Sequence, residues 1–210
     1  MEFALIRDRD AQLRRGIVLE GLTVGYNTLE GLVAITAGLA AGSVALTGFG
    51  ADSVIEVVSG VVLWWRLRAE LRSAAVGPQV ETRAARWAGA LLLGLGAYIV
   101  IESGRRLLTH DHPRESLLGI ALMALSLAVM PLLAMAKLRV ARALDSQALR
   151  ADAHETIVCA WLSLTTLMGL ALNAAFGWWW ADPLAALAML PLIVREGLEA
   201  SRGDEEHATP

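Results

Sequence analysis

The amino-acid sequence predicts an all-α polytopic membrane protein, a bundle of six transmembrane helices. Three observations support this prediction. First, 56% of the 210 residues are hydrophobic and the mean hydropathy is +0.52, which exceeds the apolar share of soluble domains. Second, apolar runs of about 20 residues, enough to cross roughly 30 Å of hydrocarbon, recur along the chain. Third, arginine and lysine fall mainly between alternate runs, a distribution typical of multi-pass proteins.

Several of the six predicted spans contain glycine or proline. Glycine and proline within the runs, such as Gly31, Pro131 and Pro191, count little against helices, because helix packing in lipid tolerates close approach and bends. The sixth run reaches spanning length only if it continues to about Leu198. The predicted spans are Ile17 to Leu39, Val44 to Trp65, Trp87 to Leu108, Leu117 to Leu138, Ala148 to Leu172 and Pro183 to Val194.

The distribution of basic residues predicts the orientation. Of the 18 arginines and lysines, 15 fall on one side, Lys137 among them, and three fall on the other: Arg105, Arg106 and Arg114. Because cytoplasmic loops hold the positive excess, both termini are predicted to be cytoplasmic, in the plasma or inner membrane of the cell. The predicted parts are a cytoplasmic N-terminal segment (1–16), a six-helix transmembrane domain (17–198) and a cytoplasmic polar tail (199–210).

The charge and cysteine content exclude several classes of protein. A net charge of −3, without a run of lysine or arginine, argues against a nucleic-acid partner. The single cysteine, Cys159, cannot form an internal disulfide. The sequence contains no histidine pair at helical spacing and no nucleophile beside a base. We therefore expect a secondary transporter and not an enzyme.

Acidic residues within the apolar runs are the most informative feature of the sequence. A carboxylate in hydrocarbon is costly, so it normally faces water, a partner or a ligand. Asp52 and Glu56 are four residues apart in span two, which stacks them on one helix face. Glu155 and Cys159 have the same spacing in span five. Neither span has a basic residue at this depth, so the acids need a cation or protons.

Spans two and five, if they are neighbours, place three carboxylates and one thiolate around one ion. Such a ligand set suits a tetrahedral transition metal, Zn²⁺ above all, and serves Mg²⁺ poorly. The alternative for the acids is interhelical hydrogen bonding without an ion, and Cys159 would then be a small buried apolar residue. The predicted metal ligands are Asp52, Glu56, Glu155 and Cys159.

Four further polar residues are secondary candidates for the metal site. His154 adjoins Glu155 but projects about 100° away on an ideal helix, so it suits a cavity or packing role unless it substitutes as a ligand. Asp152 either caps span five or contacts the metal. Glu30 lies near the middle of span one with Asn27 one turn earlier. These two residues extend the cavity, carry protons or only pack.

At these residues the sequence resembles the transmembrane part of the cation diffusion facilitator family, which exports Zn²⁺ and related divalent cations in exchange for protons. GSVALTGFGADSVIEVVSG resembles the family's Ser-x-Ala-Leu start followed by two metal-binding residues four apart, which correspond to Asp52 and Glu56. ALRADAHETIVCAWLS resembles the matching segment of span five, whose pair corresponds to Glu155 and Cys159. The family's usual pair there is His or Asp followed by Asp, so this sequence differs in residue type but keeps the spacing.

The end of the sequence also resembles the family in part. GWWWADPLAAL is similar to the start of the family's sixth span, and Asp182 followed by Pro183 is typical of an N-cap and a first helical residue. Most members carry a cytoplasmic metal-binding domain after this span. The polar tail from Ser201 to Pro210 is too short for that domain, so we expect the transmembrane part alone.

Together, the residues and the resemblance predict efflux of a divalent transition-metal cation, zinc above all, by proton antiport with alternating access. The expected partners are the lipid bilayer, the metal ion as transported substrate, protons and, by resemblance, a second copy of the chain in a homodimer. The alternative is a non-transporting membrane protein that binds a metal or regulates a partner. Stoichiometric metal binding without flux would favour that alternative.

Overall fold

The computed structural model describes the backbone of residues 2–72 and 78–202 and the side chains of residues 9–72 and 86–201. Within these residues the chain has six helices and no strand, which confirms the predicted all-α fold. Residues 203–210 of the predicted tail lie outside the described part of the chain. The helices are α1 (Glu2–Ala41), α2 (Val44–Leu71), α3 (Pro78–Thr109), α4 (Leu117–Leu144), α5 (Gln147–Phe176) and α6 (Ala181–Arg202).

Four helices are apolar enough to cross a membrane by length and composition alone, namely α2, α4, α5 and the Arg86–Thr109 part of α3. The other two, α1 and α6, have 40 and 22 residues but carry more polar side chains. In α1 these include Asn27 and Glu30, both of which are buried against other helices. The chain is thus a multi-pass membrane bundle, and the more polar helix α1 directs polar residues into the interior of the protein.

The first and last helices extend beyond the spans predicted from hydropathy. Helix α1 begins at Glu2, so residues 2–16 of the predicted N-terminal segment continue the first span without a break. Helix α6 runs past Leu198 to Arg202. The sixth apolar run, which is short by itself, is therefore part of a helix long enough to cross the hydrocarbon.

Serine side chains define where three of the helices begin. Ser43 precedes α2, and its Oγ accepts a hydrogen bond from the backbone N–H of Leu46 at 3.0 Å. Ser116 and Ser146 cap α4 and α5 in the same way, as expected of short polar residues at N-caps. Because Ser146 occupies the cap of α5, the prediction that Asp152 caps this helix is wrong: Asp152 lies in the second turn.

The helices pack in pairs, α1 with α2, α4 with α5 and α3 with α6, and α2 also contacts α5. Two of the pairs approach closely enough to require glycine. A Cβ on Gly50 would lie 2.8 Å from the backbone N of Ile35, and one on Gly89 would lie 2.7 Å from the carbonyl oxygen of Gly197. Such close packing favours helix association in lipid, where no hydrophobic force acts between helices. The contact between α2 and α5 positions the candidate site.

Candidate metal centre

Three of the four predicted ligands converge where α2 meets α5. One carboxylate oxygen each from Asp52 and Glu56 and the Sγ of Cys159 all lie within 4.8 Å of one another. Asp52 is 3% exposed and Cys159 is fully buried. The two acids share a face of α2 because they are one turn apart, and Cys159 faces them from α5. The structure therefore brings these side chains together, and their role as metal ligands stays a prediction.

The carboxylate of Glu56 lies near polar side chains of two other helices. The Sγ of Cys159 on α5 lies within 4.8 Å of one of the carboxylate oxygens of Glu56. From α1, Asn27 Nδ2 donates a hydrogen bond to Glu56 Oε2 at 2.8 Å. Polar groups of α1, α2 and α5 therefore meet at Glu56 in the interior of the bundle. A low dielectric there strengthens each polar interaction.

Glu155, the fourth predicted ligand, lies beside the group and not within it. Glu155 is one turn before Cys159 on α5, and it lines a cavity of about 760 Å³ between α2, α3, α5 and α6. The cavity occupies the helix ends that are predicted to be cytoplasmic and reaches the exposed residues Arg195 and Glu199. It is large enough for a partly hydrated cation to approach Glu155 from that side.

The secondary candidates on α5 have different surroundings from the central group. His154 is exposed and lines the same cavity. Asp152 also lines the cavity, but its Oδ2 lies 2.5 Å from the Nζ of Lys137 on α4. The same ammonium lies 3.2 Å from Oε1 of Glu20 on α1 and donates to the hydroxyl of Thr156 at 3.4 Å. Asp152 is thus one member of a buried ion triad.

The ion triad corrects the interpretation of Lys137. The sequence places Lys137 at the end of an apolar run, where it counts among the cytoplasmic basic residues. Helix α4 continues to Leu144, however, and Lys137 is 0% exposed. The sequence analysis also missed Glu20, which is fully buried in α1. Both residues are part of the bundle interior because each neutralises the other.

A polar face of α1 is the signal that would have revealed Glu20. Glu20, Thr23, Asn27 and Glu30 recur every three or four residues, and all four are buried. At the far end of this face, the hydroxyl of Tyr26 donates to Glu30 Oε1 at 3.2 Å, while Oε2 of Glu30 is buried without a hydrogen-bond partner among the described residues. Helix α1 therefore contributes polar groups along the whole depth of the site.

Asp182 joins the first turn of α6 to the start of α2. Its buried carboxylate accepts hydrogen bonds from the hydroxyl of Ser43 and from the backbone N–H of Val44 at 2.8 Å. Helix α6 already begins at Ala181, so the prediction that Asp182 is the N-cap of its own helix is wrong. It accepts the N–H of the first residue of α2 instead, where the positive end of the helix dipole favours a carboxylate.

The chemistry of the central group favours a cation. No arginine or lysine of the described residues forms an ion pair with Asp52, Glu56 or Glu155. Carboxylates that converge in a dry interior without such a partner are costly unless a cation or protons neutralise them. Two carboxylates and a thiol are also the donor types that transition-metal dications bind in proteins.

Comparisons with known proteins agree with this chemistry. An uncharacterized transporter of Synechocystis sp. is 31% identical over 157 residues. The alignment covers 70% of this chain and 49% of the relative, so the chain spans about half the length of that relative. A sequence profile described as the cation efflux transmembrane domain matches residues 22–203, which include the whole of α2 and α5. The family resemblance is thereby confirmed, and the chain belongs to the cation efflux family.

Proposed function

We propose that this protein exports a divalent transition-metal cation, Zn²⁺ above all, from the cytoplasm in exchange for protons. The observation that carries the proposal is the convergence of Asp52, Glu56 and Cys159 within 4.8 Å, beside the cavity that Glu155 lines. Oxygen and sulfur donors in a four-coordinate arrangement suit Zn²⁺. Membership of the cation efflux family supports a metal cation as the transported substrate.

Binding is proposed to begin from the cavity. The cation passes the carboxylate of Glu155 and reaches Asp52 and Glu56 on α2. Metal ligands must be deprotonated, so binding releases protons, among them the thiol proton of Cys159. The dication then neutralises the carboxylates, which removes their mutual repulsion.

Release is proposed to occur at the opposite end of the bundle. At this end, the hydrogen bonds of Asp182 to Ser43 and Val44 hold α6 against the start of α2. A change that exposes the site outward must separate helices at this end. Protons from that side then return to the carboxylates and the thiol and displace the cation, so an inward proton gradient drives export.

Flux through proteoliposomes tests the proposal. We expect Zn²⁺ transport accompanied by proton movement in the opposite direction, recorded with a zinc-sensitive and a pH-sensitive dye. Asp52→Ala and Glu155→Ala should each abolish both signals. Glu70→Ala is the matched control, because it removes an acid of α2 that forms only an exposed ion pair with Arg9. Zn²⁺ transport that both site variants leave unchanged would overturn the proposal.

Binding measured beside flux separates a transporter from the alternative function. Isothermal titration of the purified protein with Zn²⁺, Co²⁺, Cd²⁺ and Mn²⁺ ranks the metals. Stoichiometric binding that depends on Asp52, with no flux of any bound metal, would instead favour a non-transporting membrane protein that binds a metal or regulates a partner.

A further inference from the structure

Asn27 is buried beside the candidate metal centre with only half of its amide group in use. The side chain is 1% exposed, and Nδ2 donates to Glu56 Oε2 at 2.8 Å. The amide oxygen, Oδ1, is also buried, but it has no hydrogen-bond partner among the described residues. An acceptor in this position costs free energy unless it meets a donor or a cation. The amide therefore has one group that holds Glu56 and one that is available to a ligand.

We propose that Asn27 is the fourth donor of the cation site, with Nδ2 orienting Glu56 and Oδ1 coordinating the cation that Glu56 binds. The two atoms belong to one amide, so Oδ1 lies close to the carboxylate that Nδ2 contacts. Asp52, Glu56 and Cys159 supply three donors within 4.8 Å, and a tetrahedral dication requires four. Glu155, which lies outside that group, then serves the approach from the cavity. This inference rests on the proposed function, because it names a further ligand of the same site.

An amide oxygen has a specific effect on selectivity. It is neutral, so it completes the coordination without a further negative charge to bury. It is also a hard donor, so it matters more to Zn²⁺ than to the softer Cd²⁺, which depends more on the thiolate. In addition, the N–H donated to Glu56 leaves one carboxylate oxygen for the metal, and such outer hydrogen bonds orient metal ligands in other sites.

Metal titrations of the full chain in lipid nanodiscs test the inference. We expect Asn27→Ala to weaken Zn²⁺ binding by about 10–100-fold and to weaken Cd²⁺ binding less, so that the preference shifts toward Cd²⁺. Thr23→Ala is the matched control. Thr23 lies one turn earlier on the same buried face, and its hydroxyl bonds only to the carbonyl of Leu19 at 3.0 Å. This control should leave both affinities unchanged.

A second variant keeps the test decisive if Asn27→Ala does not fold. Asn27→Asp retains an oxygen donor at the same place, so it should still bind Zn²⁺ in preference to Cd²⁺. Equal losses for the two metals in Asn27→Ala, or a Cd²⁺ preference in Asn27→Asp, would overturn the inference.

Asp52→Ala shows which proposal has failed. If it abolishes binding while Asn27→Ala has no effect, only the assignment of Asn27 is wrong. If Asp52→Ala also binds like the unchanged protein, the proposed site itself is wrong.

Discussion

Two clusters of buried charge meet α1 about two turns apart, the ion triad at Glu20 and the candidate metal centre at Asn27. Their charges are neutralised in different ways. In the ion triad, the Lys137 ammonium lies between the carboxylates of Glu20 and Asp152, at 3.2 Å and 2.5 Å. In the metal centre, Asp52 and Glu56 approach Cys159, and neither acid forms an ion pair with a described residue. The triad contains its own cation, whereas the candidate metal centre is proposed to take one from solution.

The difference shows how one membrane bundle can bury acids for two purposes. A fixed ammonium compensates the desolvation of its carboxylates permanently, so the triad joins α1, α4 and α5 into one unit. An exchangeable cation compensates the other carboxylates only while it is bound, so the energy of that cluster changes during each proposed transport cycle. The first arrangement is structural, and we expect the second to provide a binding site.

The largest expected effect comes from removing the internal cation. Lys137→Ala leaves Glu20 and Asp152 buried without a partner, so we expect a loss of about 3–5 kcal/mol in the free energy of unfolding. Unfolding in detergent micelles, followed by tryptophan fluorescence, measures this loss. The control is Arg9→Ala, which breaks the exposed pair with Glu70 and should cost at most about 1 kcal/mol. Equal losses in the two variants would show that the triad does not stabilise the bundle.

Removing a charge from the candidate metal centre should have the opposite effect on the free energy of unfolding. Asp52→Asn removes one of two repelling carboxylates, so we expect the variant to be more stable than the unchanged protein when a chelator is present. Zn²⁺ at 100 times its Kd should stabilise the unchanged protein by about 2.7 kcal/mol and the variant hardly at all. The same unfolding assay, with and without Zn²⁺, measures both effects. Asp145→Asn, at an exposed acid, should change neither value, and a destabilised Asp52→Asn would remove the contrast with the triad.

A smaller effect should distinguish the donors within the metal centre. Cys159→Ser replaces sulfur with oxygen, so we expect the affinity for Cd²⁺ to fall about 10-fold more than the affinity for Zn²⁺. This shift is opposite to the one expected for Asn27→Ala. Metal titrations measure it, with Ser53→Ala as the control, because the buried Ser53 hydroxyl bonds only to the carbonyl of Phe49. Unchanged relative affinities would mean that Cys159 is an apolar neighbour of the site.

The fold could be predicted because apolar length is a strong signal in membrane proteins. Six runs gave six helices, and the start of α2 at Val44 and of α4 at Leu117 match the predicted spans. The ends of α1 and α6 could not be predicted from hydropathy, because residues 2–16 and the end of α6 are helical although polar. Hydropathy identifies the residues that lie in the hydrocarbon of the membrane. It does not show how far a helix continues beyond them.

The site was predictable where its geometry is local. Helical spacing places Asp52 beside Glu56, and it places Cys159 on the face that meets them. The distances between helices were not predictable, so the sequence could not show that Glu155 lies outside the close group or that Lys137 reaches two acids on other helices. A lysine at the end of an apolar run looks like a loop residue until its partners on α1 and α5 are known.

The hydrogen bonds of Asp182 also have a consequence for how the protein is made. Asp182 lies on α6, which emerges from the ribosome after α1 to α5, and its Oδ2 accepts a hydrogen bond from Val44, 138 positions earlier in the chain. The second helix therefore enters the membrane long before this carboxylate exists. The first turn of α2 acquires this contact only after α6 has been synthesised, so the two helices join at this end of the bundle after the first five helices have been made.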